Sequence, residues 1–286
     1  MVITQSQINM QHKTCTLYID DEPFNFQVKG DFFWGKEEVL FAKNDAVLEH
    51  VTWKSLGFNV VKAFTQEEFL KLQNSVKENI CNAIKSQGIV INTKEFELEK
   101  YHEYITTQEQ HLAVINITRN LTLDCLDFDI ASLEKRFSKA LGVTLTSWVE
   151  ELQKSHVQIR ISRPNSLDIN PPHRDGYFSY WNNIINIWAP IAGCTKETSL
   201  PIVPGSHLLP ENEVLQTTSK GATINGITYH VPCLLESKAG SFYMKRPNPK
   251  EGEAMLFTPY LIHGAAINQS RNTTRVALEL RFPIDE

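Results

Sequence analysis

The stretch RVALELRF, residues 275–282, decides the reading of the fold. Arg275, Ala277, Glu279 and Arg281 alternate with Val276, Leu278, Leu280 and Phe282, so a strand here has one charged face and one apolar face. That pattern suits one wall of a polar pocket backed by a core. Working outward, similar texture recurs at 254–258, 227–235, 199–203, 184–191 and 156–162. Turn signals at 163–165, 171–172, 204–205, 225–226 and 247–249, together with Gly252, separate these runs. Many short strands at such spacing predict an antiparallel sandwich or barrel.

Upstream the period changes. Over 65–86, Phe69, Leu72, Val76, Ile80 and Ile84 recur at three- and four-residue steps, and Thr65 with Glu68 makes a capping box. Asp129 can cap a second amphipathic helix over 130–141, and 147–153 reads as a third, short one. Before them, 16–19 and 24–28 read as strands around a turn at 20–23, followed by a loop at 30–35. The expected class is mainly β with flanking helices (α+β). Residues 1–153 supply β decoration and a helical support layer, and 154–286 form the β core with the chemistry. No repeat or low-complexity linker divides the 286 residues, which predicts a single domain.

Composition excludes more than it assigns. A net charge of −5 with no basic cluster gives no footprint for nucleic acid or an anionic membrane. The five cysteines are scattered without a C-x-x-C pair, so neither a disulfide framework nor a thiolate zinc site is expected. The opening MVITQSQINMQHKTC lacks the charged and apolar regions of a secretory leader, and no apolar run is long enough to span a membrane. The expectation is a cytoplasmic protein with a small-molecule substrate and an undetermined oligomeric state.

The chemistry concentrates in the β half. Motifs for dinucleotide binding, a P-loop, a serine nucleophile elbow and H-E-x-x-H are all missing. One H-x-D is present, His173 and Asp175, which on a strand would point to the same face. His263, directly after the strand-like 254–258, is the best third ligand. Two imidazoles and a carboxylate on one side of a metal suit non-haem Fe(II) and oxygen chemistry, while zinc would fit hydrolysis. Arg275 could grip a carboxylate bidentately.

The blocks PPHRDGYF (171–178), INIWAPI (185–191), SLPIVPGSH (199–207), GEAMLFT (252–258), LIHG (261–264) and NQSRNTTRVALELRF (268–282) together resemble the phytanoyl-CoA dioxygenase-like branch of the Fe(II)/2-oxoglutarate oxygenases. The resemblance runs from about residue 158 to the end. It implies a double-stranded β-helix (jelly-roll) core, His173, Asp175 and His263 as catalytic iron ligands, and Arg275 holding the distal carboxylate of 2-oxoglutarate, with O2 as the other cosubstrate. A carboxylate at Asp175 sets the chain apart from the halogenating relatives. The sequence departs from the pattern at Ala265, where many relatives have Ser, and Arg271 is a rival to Arg275.

Further expectations follow from strand parity. Asn186 and Trp188 share a face that the family pattern turns toward the cosubstrate, and Gln158 shares a pocket-facing side with Arg160. Arg160, Arg163, Tyr177 and Arg281 are candidate substrate contacts, with Lys245 and Arg246 as additional cations and 208–250 as the place for a lid. The functional expectation is hydroxylation of a small polar metabolite with release of succinate and CO2. The alternatives are a non-catalytic sugar- or small-molecule-binding jelly roll, or a metalloenzyme that does not use 2-oxoglutarate.

Overall fold

The computed structural model describes residues 11–43, 48–166 and 170–285. Residues 1–10 of the segment read above for a leader lie outside the described residues. The described chain begins with a hairpin of β1 (Gln11–Ile19) and β2 (Glu22–Gly30). Its two-residue turn places both Asp20 and Asp21 at positive φ, which short-side-chain acids tolerate and tight hairpins require. Next come β3 (Phe32–Trp34), β4 (Phe58–Lys62), α1 (Gln66–Lys85), the single turn α2 (Tyr101–Tyr104), α3 (Gln108–Thr118) and α4 (Ile130–Leu141). The remaining strands are β5 (Trp148–Val149), β6 (Lys154–Ser162), β7 (Ile184–Ala192), β8 (Val214–Thr217), β9 (Ala222–Ile224), β10 (Ile227–Tyr229), β11 (Leu234–Ser237), β12 (Tyr243–Met244), β13 (Glu253–Phe257) and β14 (Arg275–Pro283).

The major sheet has the order β4-β13-β7-β14-β6-β5, antiparallel throughout. Its helix-facing side carries Val157, Ile159, Ile161, Ile185, Ile187, Val276, Leu278, Leu280 and Phe282, in one core cluster with residues of α1, α3 and α4. The opposite side carries Trp188, Met255, Phe257 and Ala277, packed with Leu200, Ile202 and Leu261. Every residue of β7 is buried, as a central strand covered on both faces must be. Two smaller sheets, β10-β9-β2-β1-β12 and β11-β8-β3, surround a second core. The architecture is mixed α+β, with a curled, double-stranded β-helix-like core and flanking helices.

The helices form for the reasons their sequences give. Thr65 and Glu68 make the reciprocal capping bonds at the start of α1, and Phe69, Leu72, Val76, Ile80 and Ile84 are buried along one stripe. Each such side chain contributes about 1.5–3 kcal/mol. The Asp129 carboxylate accepts from the Ser132 amide at the start of α4, and Gly142 ends that helix at φ 72°.

Several expectations are corrected. Residues 32–34 form β3, paired with β8, instead of a loop. Residues 199–203 form no strand; Ile202 makes only isolated bridges to Lys245 and His263. The run 227–235 breaks into β10 and β11 around Pro232, which cannot donate to a ladder. Residues 147–153 become β5 and a 3-10 turn. The helix α3 went unread. The N-terminal hairpin is also more than decoration: β2 pairs with β9 and β1 with β12, the latter in parallel.

Candidate metal centre and its cavity

His173 and His263 lie opposite each other in an isolated antiparallel bridge, with reciprocal backbone bonds of 2.9 and 3.1 Å. Asp175 departs from the strand geometry expected of H-x-D: it opens the 3-10 turn Asp175–Tyr177. The tighter turn still delivers its carboxylate, with Oδ1 3.7 Å from Nε2 of His173 and Oδ2 3.7 Å from Nε2 of His263. One donor atom from each of the three buried residues falls within 4.8 Å of the others, and they are the one such group found among the described residues. Gly264 makes this approach possible. At φ 119° a side chain there would be strained, and its Cβ would lie 2.5 Å from the Pro171 carbonyl oxygen.

The protonation pattern suits a cation. Nδ1 of His173 lies 2.7 Å from the Pro171 carbonyl and Nδ1 of His263 lies 3.0 Å from the Leu261 carbonyl. A carbonyl can only accept, so Nδ1 of each ring carries a proton and Nε2 is the atom turned toward the carboxylate of Asp175. Burial, reinforced by His263, pushes the pKa of His173 down to about 4, so it is neutral at physiological pH. Burial opposes ionisation of Asp175, but Arg281 and the two histidines hold its carboxyl below the usual range.

Charged residues are matched behind the triad. Arg281 donates to both oxygens of Asp175 at 3.2 Å, Asn186 donates to Oδ2 at 2.9 Å, and the Arg281 guanidinium lies 4.8 Å from the centre of the Trp181 ring. Glu279 bridges Arg281 and Arg160, with the Arg160 Nε contact at 2.7 Å. Between the two candidate ligands, Arg174 points the other way into a fully buried ion pair with Glu211, which also accepts from Tyr177 and Gln216. The H-R-D segment thus sends His173 and Asp175 to the candidate metal centre and Arg174 to an anchor.

The triad histidines line a cavity of about 380 Å³, together with Gln158, Trp188, Phe257 and Arg275 on the sheet side. Arg275 is 3% exposed and has no carboxylate partner among the described residues. It donates to the Thr198 carbonyl at 3.2 Å and lies 5.6 Å from the centre of the Trp188 ring. Burial lowers its pKa to about 10, which leaves it charged at neutral pH. A buried cation without an anion is costly and marks the place of an anionic ligand. Arg271 is exposed in the preceding loop.

Placement corrects several other expectations. Arg163 does not reach the cavity; it is buried and donates to the Thr107 carbonyl at 3.0 Å and to Gln108, pinning the start of α3. Tyr177 packs against the second core. Arg281 and Asn186 serve Asp175 instead of facing substrate or cosubstrate, and Arg160 lines the cavity already paired. Lys245 and Arg246 face Asp21, Asp20 and the loops at 196–199 and 267–269, so these two additional cations do not line the cavity. Ala265 is buried in the second core at φ 46°. What sequence reasoning missed is the other wall: Gln108, His111, Leu112, Ile115 and Arg119 of α3 and its C-terminal cap, with 227–229 of β10. The available signal was the Thr107–Gln110 capping box, whose reciprocal bonds form as the motif predicts.

A jelly-roll core with a His-Asp-His facial triad is the arrangement of the Fe(II)/2-oxoglutarate dioxygenases. A family model described as phytanoyl-CoA dioxygenase (PhyH) matches residues 58–277, and the chain belongs to that family. No curated protein matches the chain. Among solved structures, AviO1 from Streptomyces viridochromogenes Tue57 is similar at 13% identity and TM-score 0.43, over 87% of this chain and 96% of that one. EctD from S. alaskensis, solved with 2-oxoglutarate and 5-hydroxyectoine, is similar at 15% identity and TM-score 0.44, over 99% and 87%.

Proposed function

We propose that this chain is an Fe(II)- and 2-oxoglutarate-dependent oxygenase that hydroxylates a small polar metabolite. The observation that carries the reading is the pairing of two features: the convergent donors of His173, Asp175 and His263, whose histidines line the cavity, and the anion-less buried Arg275 that lines the same cavity. In this reading the triad holds iron through two imidazole Nε2 atoms and one carboxylate oxygen. Arg275 takes the far carboxylate of 2-oxoglutarate, with Gln158 and Trp188 beside it. Bound iron and 2-oxoglutarate supply the oxidising chemistry, consuming O2 and releasing succinate and CO2.

The chain's own residues do the positioning. Arg281 and Asn186 fix the Asp175 carboxylate, and the carbonyls of Pro171 and Leu261 fix both rings. Phe257 packs edge-on against His263 at 4.9 Å and helps keep water from that side. Because the cavity takes lining residues from 108–119 as well as from 158–279, the whole chain is read as one functional unit. Among the described residues no helix is long and apolar enough to cross a membrane.

The test is anaerobic titration of the Fe(II)-loaded protein with 2-oxoglutarate. A metal-to-ligand charge-transfer band is expected, and its absence overturns the reading. Asp175→Ala should reduce succinate release to background, beyond the ~10–100-fold loss usual for an outer hydrogen-bond partner of a ligand.

A further inference from the structure

The wall that sequence reading missed has a chemistry of its own. We infer that α3, its cap residue Arg119 and β10 read a small aliphatic monocarboxylate, with the carbon chain on Leu112 and Ile115 opposite Ile227 and the carboxylate on Arg119. This rests on the oxygenase reading and names the substrate class which that reading leaves open.

The first argument is the accounting of charge around the cavity. Arg160 is matched by Glu279 at 2.7 Å, and Asp175 is matched by Arg281. Arg275, deep among the sheet residues, is reserved for the cosubstrate carboxylate. Arg119 is then the one lining arginine that has neither an ion pair among the described residues nor an assigned ligand. A charge-balanced inner pocket neither attracts nor repels an ion strongly. The sign of the ligand is therefore set at Arg119, where it enters.

The second argument is periodicity. Residues 111 and 112, 115 and 119 fall at three- and four-residue steps, so they form one stripe along the helix and its cap. Within it, Ile115 packs against the main core and also lines the cavity, while Leu112 is apolar although it faces the cavity and stays 50% exposed. Covering that surface with an aliphatic ligand is favourable at roughly 25 cal/mol per Å². Seven residues of helical rise put the Leu112 backbone about 10 Å from that of Arg119, a span that a chain of five or six carbons with a terminal carboxylate covers once the Arg119 side chain reaches in to meet it.

The third argument is size. A cavity of about 380 Å³ is near the lower end of small-molecule sites. It must also hold the ten heavy atoms of 2-oxoglutarate, which leaves room for a substrate of similar size and not for an enclosed coenzyme thioester.

The probes are hexanoate, hexan-1-ol and hexylamine, followed by ligand-observed NMR on protein loaded with Zn(II) as a redox-silent stand-in and with 2-oxoglutarate, which occupies Arg275. Hexanoate should bind at least ten-fold more tightly than either analogue. Arg119→Glu should reverse the order in favour of hexylamine, a swap that mere loosening of the fold does not produce. Leu112→Asn should weaken hexanoate and hexan-1-ol alike. Equal binding of the three probes, or a hexanoate preference that survives Arg119→Glu, overturns the inference. The charge-transfer band with Fe(II), read separately on wild-type protein, keeps the two readings apart. A hexanoate preference without the band retains the ligand class and removes the oxygenase, and a band without the preference does the reverse.

Discussion

The two walls of the cavity are built on different principles. On the sheet side the charged groups at the triad are held from several directions: Asp175 by Arg281 and Asn186, and Glu279 by Arg160 and Arg281. On the helix side α3 is pinned at its start by Arg163, while Leu112 and Arg119 are exposed toward the cavity. A reaction that works on any bound carbon needs fixed ligand geometry, and selection among substrates needs an open surface that can differ from one protein to the next. The molecule divides these demands between a sheet whose charges at the triad are matched and a helix whose cap carries an arginine unmatched among the described residues.

That contrast can be broken most severely from behind the sheet wall. Arg174→Met should cost about 3–5 kcal/mol in urea denaturation, because it leaves Glu211 charged, buried and without its main partner. Adding Glu211→Leu should recover most of the loss. If the single variant is as stable as wild type, the sheet side is not held by matched charge. Less severe is the front of the same wall. Arg275→Gln should raise the 2-oxoglutarate concentration needed for half-formation of the charge-transfer band by roughly 10- to 100-fold, the value of a charged hydrogen-bond pair. Arg271→Gln, in the exposed loop, should change it by less than about two-fold.

Acid perturbs the sheet side of the comparison at two histidines at once. Burial first, then Arg281, pushes His156 down to about 3, and burial with His263 pushes His173 to about 4. Both groups are neutral when folded and take up a proton below about pH 6.5 once unfolded, so between pH 6.5 and 4 the unfolded state binds more protons. Stability of the metal-free protein should therefore fall as pH drops through that window, by about 1.4 kcal/mol per pH unit for each group. His156→Gln should remove roughly half of the slope. A flat urea midpoint between pH 6.5 and 4.5 would contradict the buried, neutral assignment.

The same division explains what could be read in advance. Period two made β6 and β14 legible, and short apolar runs between turn signals made β7 and β13 legible, so strand parity gave the faces of Gln158, Trp188 and Arg275. The three candidate ligands were legible because H-x-D and a later His are sparse in the chain, although Asp175 reaches the site through a 3-10 turn instead of a strand. The partners of charges were not legible. Arg281 has the parity of a pocket residue, and only the tertiary structure reveals that Asp175 stands in front of it. Arg163 and Arg246 likewise read as free cations until loops distant in sequence turn their carbonyls toward them. The helix α3 was hidden because its stripe mixes Gln, His, Leu, Ile and Arg, as a wall facing a ligand should and a wall facing a core does not.

The place of β14 has a consequence for the order of assembly. It lies between β7 and β6 at the centre of the major sheet, and it carries Arg275, Glu279 and Arg281. Those residues come after all the other strands in the chain, so on a ribosome β6 and β7 emerge early and wait for the strand that separates them. Such distant pairings make folding slow compared with helical proteins of similar size. They also mean that Asp175 lacks its guanidinium partner until β14 is inserted. The three candidate ligands all precede β14 in the chain, so what this strand adds is the charge network that orients Asp175 and not the ligands themselves.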